Sequence, residues 1–116
     1  MANLIKYLAK DVIQIVEIVD NGKEIIGVIR AEVGEDMLLI HPRIYSPTKT
    51  KFLEFRKSLE VFLRYMKSEY YYEKWHGLLS MPSLSSNKKW ANMISNNKAY
   101  PVKYIMGRPL YECEIQ

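Results

Sequence analysis

Two histidines, one cysteine, a cluster of aromatic residues and a stripe of basic ones are the side chains with chemistry to offer in this chain. His41 and His76 could hold a zinc ion only with further ligands, because zinc takes four and prefers a thiolate, another imidazole or a well-spaced carboxylate. The sequence places no such partner beside either, so each reads as a packed or hydrogen-bonded histidine. Cys113 stands in a β-rich segment without the Cys-His or CxxC context that lowers a thiol pKa, and it reads as a small core hydrophobe. A lone cysteine also forms no intramolecular disulfide. Walker A, HExxH and dinucleotide-binding motifs do not occur.

The aromatic cluster is Tyr70, Tyr71, Tyr72 and Trp75. Tyrosine and tryptophan combine large contact area with a polar tip, which suits a protein interface, and alternation cannot turn all four into one small core. A homo-oligomer or a protein partner is therefore expected to meet them. Lys57, Arg64 and Lys67 recur along one amphipathic segment and could neutralise nucleic-acid phosphates, although Glu54, Glu60 and Glu69 interrupt them. Charge is unevenly divided. Residues 1–41 carry four basic and seven acidic side chains, for −3, and residues 42–116 carry 13 and six, for +7.

These residues need elements to position them. A chain of 116 residues, 48% apolar and 26% charged, has the composition of one ordered domain, residues 1–116 with a core over about 12–115. The net charge of +4 does not demand a nucleic-acid partner. No run approaches the roughly 18 apolar residues of a membrane span. The start, MANLIKYLAKDV, lacks the apolar core and small-residue cleavage site of a signal peptide, so an intracellular protein with no membrane contact is expected, one that a virion could still carry outside the cell.

Val12–Val19 is β-branched and runs into Asp20-Asn21-Gly22, a type I′ hairpin signal that returns the chain along Lys23–Val33. Met37–His41 forms a third strand ended by Pro42. Apolar residues on both faces of the first strand predict cover on both sides of the sheet. Phe52, Phe55, Leu59, Phe62 and Met66 repeat at helical spacing and predict a helix to about Glu69. It starts at Ser46-Pro47, or later if Thr48 or Thr50 caps it. Trp75–Met81 is a fourth strand, closed by Pro82. Ser85, Ser86 or Asn87 caps a second helix to about Asn96, and strands near Tyr100–Met106 and Leu110–Ile115 follow, joined by Gly107-Arg108-Pro109. The fold class is α/β (α+β), a mixed and largely antiparallel sheet in β-β-β-α-β-α-β-β order. The helix between strands three and four predicts that this pair is parallel.

This order, with the Ser86-Asn87 helix start, the following Trp90, Ala91, Met93 and Ile94, and the closing Tyr100–Ile115 hairpin, resembles the core of the GCN5-related N-acetyltransferase (GNAT) superfamily. The likeness covers roughly Val12 to Ile115, without the amino-terminal strand and first two helices of a complete acetyltransferase. It is similar to the short acetyltransferase-like proteins of tailed bacteriophages, including those tied to internal virion assembly.

The resemblance implies a site. Acetyl-CoA pyrophosphate would lie at the start of the long helix, where free backbone N–H groups and the helix dipole favour an anion. The matching stretch, His41 to Lys51, contains no glycine, so the backbone approach of the family pattern is lost. His41, Arg43, Ser46, Thr48 and Lys49 remain as a weak anion or CoA site. Glu32 is the strand carboxylate in the position of a general base, with an exposed hairpin residue as its other reading. The family's general-acid tyrosine position is filled by Met93 or Ile94, and Tyr100 and Tyr104 come later. The resemblance therefore points first to a non-catalytic phage virion-assembly or host-interaction protein that needs no cofactor. The alternatives are a small acetyl-CoA-dependent N-acetyltransferase and a small nucleic-acid-binding or inhibitory protein.

Overall fold

A computed structural model of the chain describes residues 13–79, 81 and 83–116. Its elements are β1 (Ile13–Asp20), β2 (Ile25–Val33), β3 (Leu38–Ile44), α1 (Lys49–Tyr70), β4 (Lys74–Leu78), α2 (Leu84–Ser95), β5 (Tyr100–Ile105) and β6 (Arg108–Glu114). The strands form one open sheet in the order β1-β2-β3-β4-β6-β5. β3 and β4 are parallel and every other pair is antiparallel. This is the mixed, largely antiparallel sheet read from the sequence, with α1 as the crossover that a parallel pair requires; the insertion of β6 between β4 and β5 goes beyond that reading.

Both helices lie on one face of the sheet. Gly27 of β2 points at α1, where an added Cβ would stand 2.8 Å from the Phe55 ring. The cross-strand partners Ile29, Ala31 and Val33 of β2, Leu38 and Ile40 of β3, and Trp75 of β4 follow the same alternation and are buried. α1 closes over them with Phe55, Leu59, Phe62, Leu63 and Met66. α2 packs beside it, with Trp90 edge-on to Phe52 and Phe55 at centroid distances of 5.4 and 6.4 Å. The cover expected on both faces is present on one among the described residues: Val16 and Ile18, on the other face of β1, are 43% and 59% exposed.

Several boundaries differ from the sequence reading. Pro42 does not end β3, which continues to Ile44. Pro42 pairs with Ile29 of β2 in a non-hydrogen-bonded position, and β4 pairs with β3 only at Leu39↔His76 and Ile40↔Gly77, so no strand lies on the side where the missing N–H would point. Of the two starts read for α1, the later one is found: the helix begins at Lys49, with the Thr48 hydroxyl accepting from the Lys51 N–H at 3.2 Å, and not at Ser46-Pro47. α2 is capped by Ser83, whose hydroxyl accepts from the Ser86 N–H, rather than by Ser85, Ser86 or Asn87. Asn87 is instead buried within the helix.

The first hairpin is not a two-residue turn. Asn21–Glu24 connect its strands, with the Asn21 carboxamide oxygen accepting from Lys23 and Glu24 and Gly22 at φ +88°. β4 stops at Leu78 instead of Met81. β6 begins at Arg108, since the turn uses Met106 and Gly107. Val12, Ser80, Pro82 and the amino-terminal segment read for a signal peptide lie outside the described residues.

Candidate functional site

Three groups of side chains stand out, one at a helix end and two assembled by the sheet register. The first is at the carboxy-terminal end of α1. Tyr71 is the C-cap, held at φ 64° in the left-handed region, with its N–H on the Lys67 carbonyl at 3.1 Å. It is 85% exposed. Tyr70 leans edge-on against Tyr65 at 6.4 Å, while Tyr72 turns inward and its hydroxyl donates to the Gly34 carbonyl. Burial, then the Asp36 carboxylate, raises the Tyr72 pKa. The three tyrosines line a hollow of about 860 Å³ between this connector and the β2–β3 turn, together with Glu35, Asp36 and Lys74.

Trp75 does not join them. It is 2% exposed, because β4 is an interior strand and alternation turns Trp75 under α1. The proposed aromatic surface is thus corrected to Tyr70 and Tyr71, with Tyr72 as a half-buried anchor.

The second group lies where β3 and β4 diverge. His41 and Arg43 of the expected anion site line a hollow of about 600 Å³ with Arg30, Pro47, Met81 and Trp90. Ser46, Thr48 and Lys49 do not line it. Ser46 sits at φ 47°, and the Thr48 hydroxyl is committed to the helix cap. Arg30 escaped the sequence reading because only the Arg30↔His41 register brings it alongside. His41 Nε2 lies 2.9 Å from the Glu32 carboxylate, so the proposed general base is engaged with this imidazole and half-exposed on the strand.

The third group crosses the helix-free face of the sheet. Glu32, Leu39, His76, Glu112 and Tyr100 stand in one row over five strands. The Glu112 carboxylate accepts from the Tyr100 hydroxyl at 2.6 Å, Lys74 Nζ at 3.0 Å and His76 Nε2 at 3.1 Å. These bonds, that from Tyr100 foremost, hold its pKa down to about 2. The same bond raises the Tyr100 pKa, which opposes proton release from its hydroxyl. His41 and His76 each face a carboxylate of their own, and no cluster of three metal-ligating side chains occurs among the described residues. Sequence reasoning missed Glu112, because only the cross-strand register sets it beside Tyr100 and His76.

The remaining candidates are dispersed. Lys57 borders the β1 side of α1, Arg64 the side toward β6, and Lys67 Nζ donates to the Ile115 carbonyl at 3.1 Å. Met93 is half-buried, Ile94 is buried and Tyr104 is exposed. Cys113 is buried, which pushes its thiol pKa up, as expected for a core hydrophobe. No described helix is long and apolar enough to cross a membrane. No family model matches the chain, and no curated protein matches it at a significant level.

Proposed function

We propose that the chain is a non-catalytic binding domain on a short acetyltransferase-like scaffold, serving as a virion-assembly or host-interaction protein of a tailed bacteriophage and engaging its protein partner through the tyrosine hollow. Tyr71 carries this reading. A left-handed conformation costs a residue with a Cβ about 1–2 kcal/mol, and glycine would cap the helix without that cost. A side chain 85% exposed recovers little within the domain itself. Its benefit lies in an outside contact, for which an exposed tyrosine on the rim of a hollow is well suited.

The helix start supports the absence of acyl transfer. Residues 41–51 contain no glycine, and the Thr48 cap already satisfies the Lys51 amide that a phosphate would need. The phage context rests on the resemblance in element order.

One observation favours the acetyltransferase reading as a second choice: Arg30, His41 and Arg43 converge beside Trp90 in a hollow large enough for part of a nucleotide. Copurification from the native source separates the two. Under the first reading the wild-type chain retains a protein partner that Tyr71→Ala loses, and no CoA comes with it. Retained acetyl-CoA, with amine acetylation abolished by Arg43→Ala, would establish the second. A salt-sensitive nucleic-acid complex would replace both.

A further inference from the structure

The two edges of the sheet are built differently. β5 carries Pro101, Lys103 and a register shift between them, all devices that discourage an edge from pairing with another chain. β1, with the sequence IQIVEIVD, has neither proline nor lysine, carries its register shift only at its end, between Val19 and Asp20, and exposes Val16 and Ile18. Its neighbour among the described residues is β2 alone. Beside it, Ile15, Glu17, Lys57, Val61 and Tyr65 line a groove of about 630 Å³ between the strand and α1.

Backbone parity shows what this edge offers. The Tyr45 N–H donates to the Ile26 carbonyl, so the even-numbered residues of β2 bond toward β3. Gly27, Ile29, Ala31 and Val33 then bond toward Val19, Glu17, Ile15 and Ile13 of β1. The N–H and C=O groups of Gln14, Val16 and Ile18 are left pointing off the sheet, a set symmetric about Val16.

We propose that β1 pairs antiparallel with β1 of a second copy of this chain, about a two-fold axis at Val16. In that register Val16 meets its own counterpart and Gln14 meets Ile18, each pair exchanging both backbone hydrogen bonds. On the helix side Glu17 stands opposite Ile15 of the other copy, in a groove that also holds Lys57. An isologous patch must complement itself, and this one brings a carboxylate to an ammonium twice across the axis. The two grooves join, covering Val61 and Tyr65, which are 60% and 51% exposed in the single chain.

Sedimentation equilibrium of the full chain over about a hundredfold range near micromolar concentration tests this directly. The mass is expected to rise to twice that of the monomer. Val16→Pro takes its N–H from the outward side of the edge and not from the β1–β2 ladder, at the cost of fixing φ at about −65°, so it should remain folded by circular dichroism and stay monomeric. Ile18→Lys should do the same and serves if proline disturbs the strand. Lys57→Glu should weaken the dimer about fivefold or more, and adding Glu17→Lys should restore it. A monomer at every concentration would overturn the proposal, as would a dimer indifferent to both Val16→Pro and Ile18→Lys. Dimerisation only after removal of residues 1–12 would show that the chain covers its own edge. A monomer that binds a different protein through β1 would likewise refute self-pairing.

Discussion

Removing the Glu112 carboxylate gives a stability loss with a definite pH signature. Glu112→Gln keeps the shape but takes the charge from a site where Tyr100, Lys74 and His76 all bond to one side chain. A carboxylate depressed from 4.5 to about 2 stabilises the fold above its ordinary pKa, and this contribution fades as pH falls from 4.5 through 2. Each tenfold change in proton affinity is worth about 1.4 kcal/mol, which caps the effect at roughly 3 kcal/mol. Tyr100 and Lys74 reach Glu112 from half-exposed positions, 47% and 46% accessible, so solvent screening lowers the expectation to about 1–2 kcal/mol. Urea unfolding of wild type and Glu112→Gln at pH 7, 5, 3 and 2 reads it. The gap should be full at pH 7, begin to close below pH 4.5 and largely vanish at pH 2. A gap constant across that range, or none at pH 7, would refute the reasoning.

Three further outcomes are expected. Gly27→Ala should destabilise by about 1–3 kcal/mol in thermal melts, because its Cβ would stand 2.8 and 3.0 Å from the Phe55 ring and against the Arg43 carbonyl. Phe55→Leu in the same chain should recover part of the loss. Tyr71→Gly should stabilise the isolated domain by about 1 kcal/mol in urea while weakening the partner complex, a combination that a purely structural tyrosine would not give. Neutralising Lys57, Arg64 and Lys67 together should leave nucleic-acid retention on a column unchanged, since Glu60 interrupts the stripe and Lys67 already donates to the Ile115 carbonyl; a large drop would elevate nucleic-acid binding.

The element order and the parallel pair are legible because alternation, turn residues and one strongly amphipathic helix all agree with the final fold, whereas the β4–β6 pairing that sets β5 at the edge has no local signal. The departures occur where local chemistry is degenerate. Ser83, Ser85, Ser86 and Asn87 are all good caps, and only backbone geometry selects Ser83. Pro42 reads as a strand terminator until β4 is seen to end its pairing at Ile40. Trp75 shares aromatic type and neighbourhood in sequence with the tyrosines, whereas its position on an interior strand buries it. Arg30 beside His41 and Glu112 beside His76 depend on cross-strand register, which joins residues 11 and 36 positions apart and leaves no local signature.

Photocross-linking from position 71 tests the proposed role most directly. With Tyr71 replaced by a benzophenone-bearing amino acid and the chain expressed in its native source, irradiation should yield one dominant adduct with a single protein. Unlabelled wild-type chain in excess should suppress that adduct. Irradiation that gives no protein adduct, from a chain that purifies with acetyl-CoA and acetylates an amine, would contradict it.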